Sequence, residues 1–459
     1  MGEIQHQSIF STIIIYLGFV LGAINVIFLF PKLLNEEEVG LIRTLLDAAL
    51  MLGNLALLST NHVNFKFAPF YRAYLPPKKI DLQGILLLMT ALGIIIVVVI
   101  IFWGKPLIMR KFSANARLFT DYYYHLIPLT IFIALFEYWI SFSINNLRTI
   151  FPNFVKEVIS RVYITVLIIL YYFHILSFNQ FLGLYASLYF CLFMMVAIYV
   201  RCYTEVTFTL QISNVTKKLW KKIVTYQTFV WSGIVFYVIS QYIDTFIISG
   251  LVGLSGTAVF SIATFIATII QVPQRAMLNI SIPIISKAWK DKNYKSIESI
   301  YAKSSINLLI ASLVIFVLVW SSIDNLFSIL PPKYSEGKYV LLLLGIARVI
   351  DMGTGLNNIV ILTSNKWRFD FITGIILICC IVGLNYSLVK SMGIIGSAWS
   401  NLISFSIYNA IRYLFLWKTF GFQPFTIKTL LALLGALGIY YLQSLLPYLH
   451  NWFWDSVAR

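Results

Sequence analysis

The chain has 459 residues, of which 59% are hydrophobic and 11% charged, with 34 Lys and Arg against 18 Asp and Glu. Soluble domains carry about 25% charged residues, so a soluble globular protein is excluded. The net charge of +16 then reads as a matter of where the loops lie rather than as a sign of a nucleic-acid partner.

A spanning helix needs about 20 mostly apolar residues. Thirteen stretches qualify: 8–30, 39–65, 82–104, 119–145, 153–174, 178–200, 224–250, 257–285, 302–323, 339–363, 369–389, 393–417 and 427–447. The first has no basic segment before it and is long enough to stay as a span, so no cleaved signal peptide is expected. It carries Asn25, and Gly18 and Gly22 at a spacing that suits close helix packing. The second holds Arg43, Asp47, Asn54 and Asn61. Val/Ile runs such as Ile94 to Ile101 in the third favour helix over strand, because the stretches are long and lack period-2 alternation. A barrel would need strands of about 10 residues with alternating polarity. The fourth stretch carries Glu137, Ser141 and Asn145 below Pro128, and the fifth opens on Lys156, Glu157 and Arg161. Beyond the polar connection from Tyr203 to Lys222, the seventh holds Gln241 and Asp244. The eighth holds Gln271, Arg275 and Asn279 at i+4 steps beside Pro273. The tenth holds Arg348, Asp351 and Asn358 around Gly353 and Gly355.

Counting 220 residues forward from the first half reaches the matching landmark in the second. Asn145 and Arg148 fall on Asn365 and Arg368, and Val39-Gly40 falls on Val259-Phe260. Six spans per copy give both copies the same orientation, with the pseudo-symmetry axis along the membrane normal, a parallel repeat as known among transporters. The expected organisation is an all-α, polytopic membrane protein. An N-terminal six-helix lobe (1–203) and a C-terminal one (224–424) are joined by a basic linker (204–223), and 425–459 adds a further helix and tail. Either that thirteenth span is accessory or a fourteenth lies outside this sequence.

With the N-terminus inside, the inner loops hold Lys66, Arg72, Lys78, Lys79, Arg148, Lys156, Arg201, Lys217, Lys218, Lys221 and Lys222. The second half adds Lys287, Lys290, Lys292, Lys295, Lys366, Arg368, Arg412, Lys418 and Lys428, twenty in all. The opposite loops hold eight: Lys32, Lys105, Arg110, Lys111, Arg117, Lys333, Lys338 and Lys390. Positive charge concentrates inside, so the N-terminus is expected in the cytoplasm. The Lys105–Arg117 cluster is the exception and reads as a solvated outer loop. Lys217-Lys218-Leu219-Trp220-Lys221-Lys222 reads as an interfacial segment on the anionic leaflet.

Ionisable residues inside a membrane cost about 2.5–3.5 kcal/mol each on insertion scales, so each needs a partner, a wet cavity or a role. Arg43 and Asp47, and likewise Arg348 and Asp351, are close enough within one helix to neutralise each other, which leaves structural and functional readings open. Glu157–Arg161 reads as structural, and Arg148 and Lys156 snorkel from helix ends. Arg275, Glu137 and Asp244 have no opposite charge nearby on their own helices. Guanidinium groups in a low-dielectric cleft match phosphate oxygens, and amides beside them suit sugar hydroxyls. A lipid-linked sugar diphosphate satisfies this pattern, with its polyprenyl tail in the bilayer. Arg275, Arg348 and Arg43 would hold the diphosphate, and Asn25, Asn54, Gln271, Asn279 and Asn358 the glycan. Asp244, Asp351, Glu137 and Asp47 are candidates for H⁺ or Na⁺ coupling. No catalytic residue is assigned and no cofactor is expected. There is no Walker sequence, and Cys191, Cys202, Cys379 and Cys380 form neither CxxC nor Cys/His clusters, so no metal site is expected.

The sequence resembles the polysaccharide flippases of the multidrug/oligosaccharidyl-lipid/polysaccharide exporter superfamily, with O-antigen and capsule translocases the nearest kind. The resemblance covers essentially the whole chain. It rests on Gly18, Gly22, Phe30 and Pro31, on Val39-Gly40, on Asp244-Thr-Phe-Ile-Ile-Ser-Gly250 followed by Ala258-Val-Phe-Ser261, and on Ile394-Ile-Gly396-Ser-Ala398. It implies alternating access in a bacterial inner membrane and export of an undecaprenyl-diphosphate-linked oligosaccharide. It also implies arginines on the diphosphate, ion coupling in some members, and glycan polymerase and other assembly proteins as partners. The odd helix number and the placement of the arginines depart from the family pattern. Two alternatives stand beside it. One is an ion-coupled multidrug/cation antiporter of the same superfamily, which would need acidic residues facing its substrate. The other is a membrane glycan polymerase or ligase, which would carry its chemistry on a long outer loop.

Overall fold

The computed structural model describes residues 2–146, 148–204, 209 and 211–445, and among them the chain is helical throughout, without a strand. Among these residues eight helices are long and apolar enough to cross a membrane, and a bent pair makes nine. The chain is an all-α, polytopic integral membrane protein. In hydrocarbon no water satisfies backbone N–H and C=O groups, so a helix that closes its own bonds is the form these sequences take. The thirteen apolar stretches all fall on helices. Four lie outside the nine for local reasons: 153–174 opens on the three charges Lys156, Glu157 and Arg161, 257–285 is broken, 393–417 is rich in Ser and Asn, and 427–447 is short.

In chain order, α1 runs over Gly2–Ala23 and continues through a π segment, Ile24–Leu29, to Leu33. Helices α2 (Glu36–Ala56) and α3 (Thr60–Tyr74) share the second apolar stretch. Then come α4 (Leu82–Phe112) and α5 (Leu126–Asn145). Helix α6 is Ile150–Phe154, a π segment Val155–Ile159 and Ser160–Tyr172, and α7 is Phe178–Tyr203. Helix α8 (Asn214–Leu251) is followed by α9 (Leu254–Ile269) and α10 (Val272–Lys290), which share the eighth stretch, and by α11 (Tyr294–Ser321). Helices α12 (Lys338–Gly353) and α13 (Asn357–Thr363) share the tenth, and α14 (Arg368–Met392), α15 (Ile394–Phe420) and α16 (Ile427–Ser444) complete the chain. The repeat is visible in this order. Glu36 and Leu254 open the second rod of each half, each rod broken near its middle, and Ile150 and Arg368 open the fifth.

The breaks interrupt the polar stripes expected from sequence. Leu58 and Ser59 take φ of 47° and 55°, separating Asn61 from Arg43, Asp47 and Asn54. The carbonyls released there are answered by α8: Gln227 Nε2 donates to Leu58 O at 2.9 Å and Trp231 Nε1 to Leu55 O at 3.1 Å. That is what makes a non-helical turn tolerable at membrane depth. Gln271 stands at the α9–α10 break as the residue before α10, not on a continuous stripe with Arg275 and Asn279. Between α12 and α13 the axis bends by 47°. Gly355 there has φ of +67°, and a Cβ would lie 2.8 Å from Ser305 N. Asn358 therefore lies beyond a bend and does not share one face with Arg348 and Asp351.

By contacts the chain divides into two compact units, Met1–Gly250 and Leu251–Arg459. The boundary expected from sequence fell earlier, at the 204–223 linker. Two structural facts account for the difference. The basic run Lys217–Lys222 forms the first turns of α8, continuous with the seventh apolar stretch. And α8 bonds repeatedly to α2 and the following turn: at Leu55 and Leu58 as above, from Thr245 Oγ1 to Asp47 Oδ2 at 2.6 Å, and between Ser249 and Thr44 hydroxyls at 2.8 Å.

Candidate functional site

The first unit gathers charges from three helices into pairs. Arg43 Nε donates to Asp47 Oδ2 at 2.8 Å within α2. Lys156 Nζ on α6 donates to Glu137 Oε1 on α5 at 2.6 Å. Arg161 pairs with Glu157 at 2.9 Å within α6. In every pair the base is the more exposed member: 34% against 1%, 41% against 27%, and 29% against 20%. Three acids thus stand behind three cations. Arg161 is further tied to the carbonyls of Lys156 and Glu157. Arg43 commits only Nε, so its two terminal nitrogens keep the planar fork that suits a phosphate. Asp47 is buried, with Oδ1 lacking any hydrogen bond.

Lys156 corrects the sequence expectation. It does not snorkel from a helix end but answers Glu137, whose own helix offers no base. The two residues stand about equally far from the turn joining α5 to α6, and an antiparallel hairpin brings such positions side by side. That symmetry was the usable signal.

Asn25, expected to serve a glycan, is 3% exposed. Its Nδ2 donates to Arg161 O at 2.9 Å and its Oδ1 accepts from Thr165 at 2.7 Å, so it joins α1 to α6. The close approach expected of Gly18 and Gly22 occurs here. A Cβ on Gly18 would lie 2.6 Å from Glu157 O, and one on Gly22 2.8 Å from Arg161 Nε. Asn54 is half-buried and its Nδ2 donates to Leu50 O. Asp244 is half-buried on α8, one residue before Thr245.

In the second unit Asp351 accepts from Gln271 Nε2 at 3.2 Å and from Asn409 Nδ2 at 3.0 Å. Asn409 Oδ1 in turn accepts from Thr354 and from Asn357, at 2.8 and 2.9 Å. Gln271 and Asp351 are brought together as a polar network, and Asn357 takes the place expected of Asn358, whose Oδ1 accepts from Ile359 N. Arg348 lies with its guanidinium 5.1 Å from the Phe405 ring centroid, and does not pair with Asp351 in a salt bridge. The side chains of Arg275 and Asn279 lie outside the described residues. Arg412, read as a loop charge, is instead 2% exposed on α15. It bonds Asp370 on α14 and Thr373 Oγ1, and lies 4.0 Å from the Tyr408 ring centroid. Eight residues of α15 follow it, up to Phe420, too many for a loop position. Among the described residues no group of three His, Cys, Asp or Glu side chains gathers as a metal site requires.

No protein-family model matches this chain, and no curated protein matches it. Solved structures do. The lipid II flippase MurJ in an inward closed conformation superposes with a TM-score of 0.74 at 17% identity, over 98% of this chain and 95% of that one. An inward-facing multidrug resistance MATE family transporter of the MOP superfamily gives 0.68 at 16% identity, over 88% and 94%. A MOP superfamily transporter from Pyrococcus furiosus, described by a reverse polarity of its binding pocket, gives 0.58 at 14%, over 91% and 95%. The chain has the fold of MOP-superfamily transporters.

Proposed function

We propose that this chain is a flippase carrying a polyprenyl-diphosphate-linked oligosaccharide from the cytoplasmic to the periplasmic leaflet of a bacterial inner membrane, for O-antigen, capsule or exopolysaccharide synthesis. The fold supports transport by alternating access, and the loop charges support a cytoplasmic N-terminus. One observation carries the choice of substrate charge: in the pairs Arg43–Asp47, Lys156–Glu137 and Arg161–Glu157 the cation is the outer member. A cation antiporter needs the opposite order, and Asp47, at 1% exposure, is the most hidden charge of the six. Arg43 and Lys156 hold the diphosphate in this reading. Asn54 meets the glycan, and in the second unit Arg275, Arg348, Gln271, Asn279 and Asn358 are the candidates for substrate contact. Glycan polymerase and other assembly proteins act on the product.

Losing one charge-assisted contact costs about 1.5–3 kcal/mol of binding. Arg43→Ala and Arg275→Ala are therefore expected to abolish surface polysaccharide, measured per amount of each variant in the membrane. Arg43→Lys should be intermediate, because it keeps charge and loses the fork. Alanine variants that are abundant and export normally would overturn the assignment.

A further inference from the structure

We propose a second binding site, distinct from the transport path: the groove between α4 and the first turns of α8 holds an anionic phospholipid from the adjacent leaflet. Its phosphate would sit on Lys217, with one acyl chain along α4. The groove has a volume of about 560 Å³, within the range of small-molecule pockets. Its apolar wall is Ile85, Leu88, Met89 and Leu92, the i, i+3, i+4, i+7 face of α4. Ile212 and Trp220 form the other wall, with Lys217 at its polar edge. Leu88, Leu92 and Ile212 are each more than half exposed, so the slot opens to the hydrocarbon.

Three observations separate this slot from ordinary lipid-facing surface. First, its wall is fastened from behind. The fully buried Asp81 accepts from Ser213 N and from Thr216 Oγ1, both at 2.7 Å, and Thr216 also bonds the Tyr71 hydroxyl at 2.7 Å. The groove therefore does not depend on its occupant to keep its shape. Second, charge is concentrated at one end. Lys217, Lys218, Lys221 and Lys222 are exposed, and none forms an ion pair among the described residues. Asp81, the acid nearest the groove, faces Ser213 and Thr216. Third, Trp220 stands at that end, 44% exposed, as an aromatic belt residue does between head group and chain. Exposed ammonium groups beside a bilayer favour anionic over zwitterionic lipid, by about fivefold per lysine.

The test is Trp220 fluorescence in the full chain reconstituted in phosphatidylcholine vesicles. Trp220's contribution is taken as the difference between wild type and Trp220→Phe. Brominated-chain phosphatidylglycerol should quench it at about fivefold lower mole fraction than brominated phosphatidylcholine. Lys217→Gln should remove that preference, and Lys428→Gln, in the other unit, should leave it intact. Leu88→Trp, assayed by displacement of a spin-labelled phosphatidylglycerol, should block the slot without altering charge. Equal quenching by the two lipids would mean bulk lipid only. A preference that survives Lys217→Gln would place the anion elsewhere on the basic run. Either result overturns the proposal, and neither depends on transport.

Discussion

Lys156 on α6 and Glu137 on α5 form an ion pair at 2.6 Å that neither helix contains by itself. With 41% and 27% of their side chains exposed, the pair is neither fully buried nor freely solvated. Its value for stability is therefore modest, while Lys156 remains able to meet an anion with its other two donors.

Stability and transport should separate at this pair. Lys156→Ala leaves Glu137 without its counter-charge and should lower both the melting temperature and export. Adding Glu137→Ala should restore the melting temperature but not export. Purified-protein melting curves beside surface glycan decide it; recovery of both by the double variant would make the pair purely structural.

Gly18 and Gly22 should behave differently although both lie where α1 meets α6. A Cβ at 18 meets Glu157 backbone at 2.6 Å, which can yield only if the helices part. Overpacking of this kind costs about 1–3 kcal/mol. At 22 the Cβ meets the end of the flexible Arg161 side chain at 2.8 Å. Gly18→Ala should melt early, whereas Gly22→Ala should melt near wild type. Equal melting temperatures would mean that the helices are not fixed at this crossing.

For Arg412 and Asp370 the order of damage is set by what is left behind. Asp370→Asn leaves a guanidinium that is 2% exposed without its carboxylate, and removing one partner of a buried pair costs about 3–5 kcal/mol. Arg412→Met leaves a carboxylate that is 30% exposed and can be hydrated, so it should cost less. Chemical or thermal unfolding in detergent would show the reverse order if the Tyr408 and Thr373 contacts, rather than the charge, dominate.

Coupling should fall on one of the membrane carboxylates. Asp351 accepts two amide hydrogen bonds, and Asp47 has an oxygen with none. Asp244→Asn or Asp351→Asn is expected to make transport in vesicles indifferent to collapse of the proton or sodium gradient. If Asn at positions 47, 137, 244 and 351 each leaves gradient sensitivity unchanged, the carboxylates are structural.

The sequence by itself determined that this chain spans a membrane as helices, where most of those helices lie, and that they recur in two copies. Apolar length and the need to satisfy backbone polar groups internally are local properties, legible residue by residue. Intrahelical pairs such as Arg43–Asp47 and Glu157–Arg161 were legible for the same reason, as was the glycine pair of α1. Tertiary structure decided what depends on a second helix. Glu137 finds Lys156, and Arg412 is buried against Asp370. Asn25 turns to α6, and Asp351 is met by Gln271 and Asn409. The breaks at Leu58–Ser59 and Gly355 belong with these, because a helix stops at membrane depth only where a neighbour, here Gln227, Trp231 or Ser305, takes up the backbone groups it releases. Periodicity along one helix carries no information about which face meets which, and it is that meeting that sets which charges are outermost.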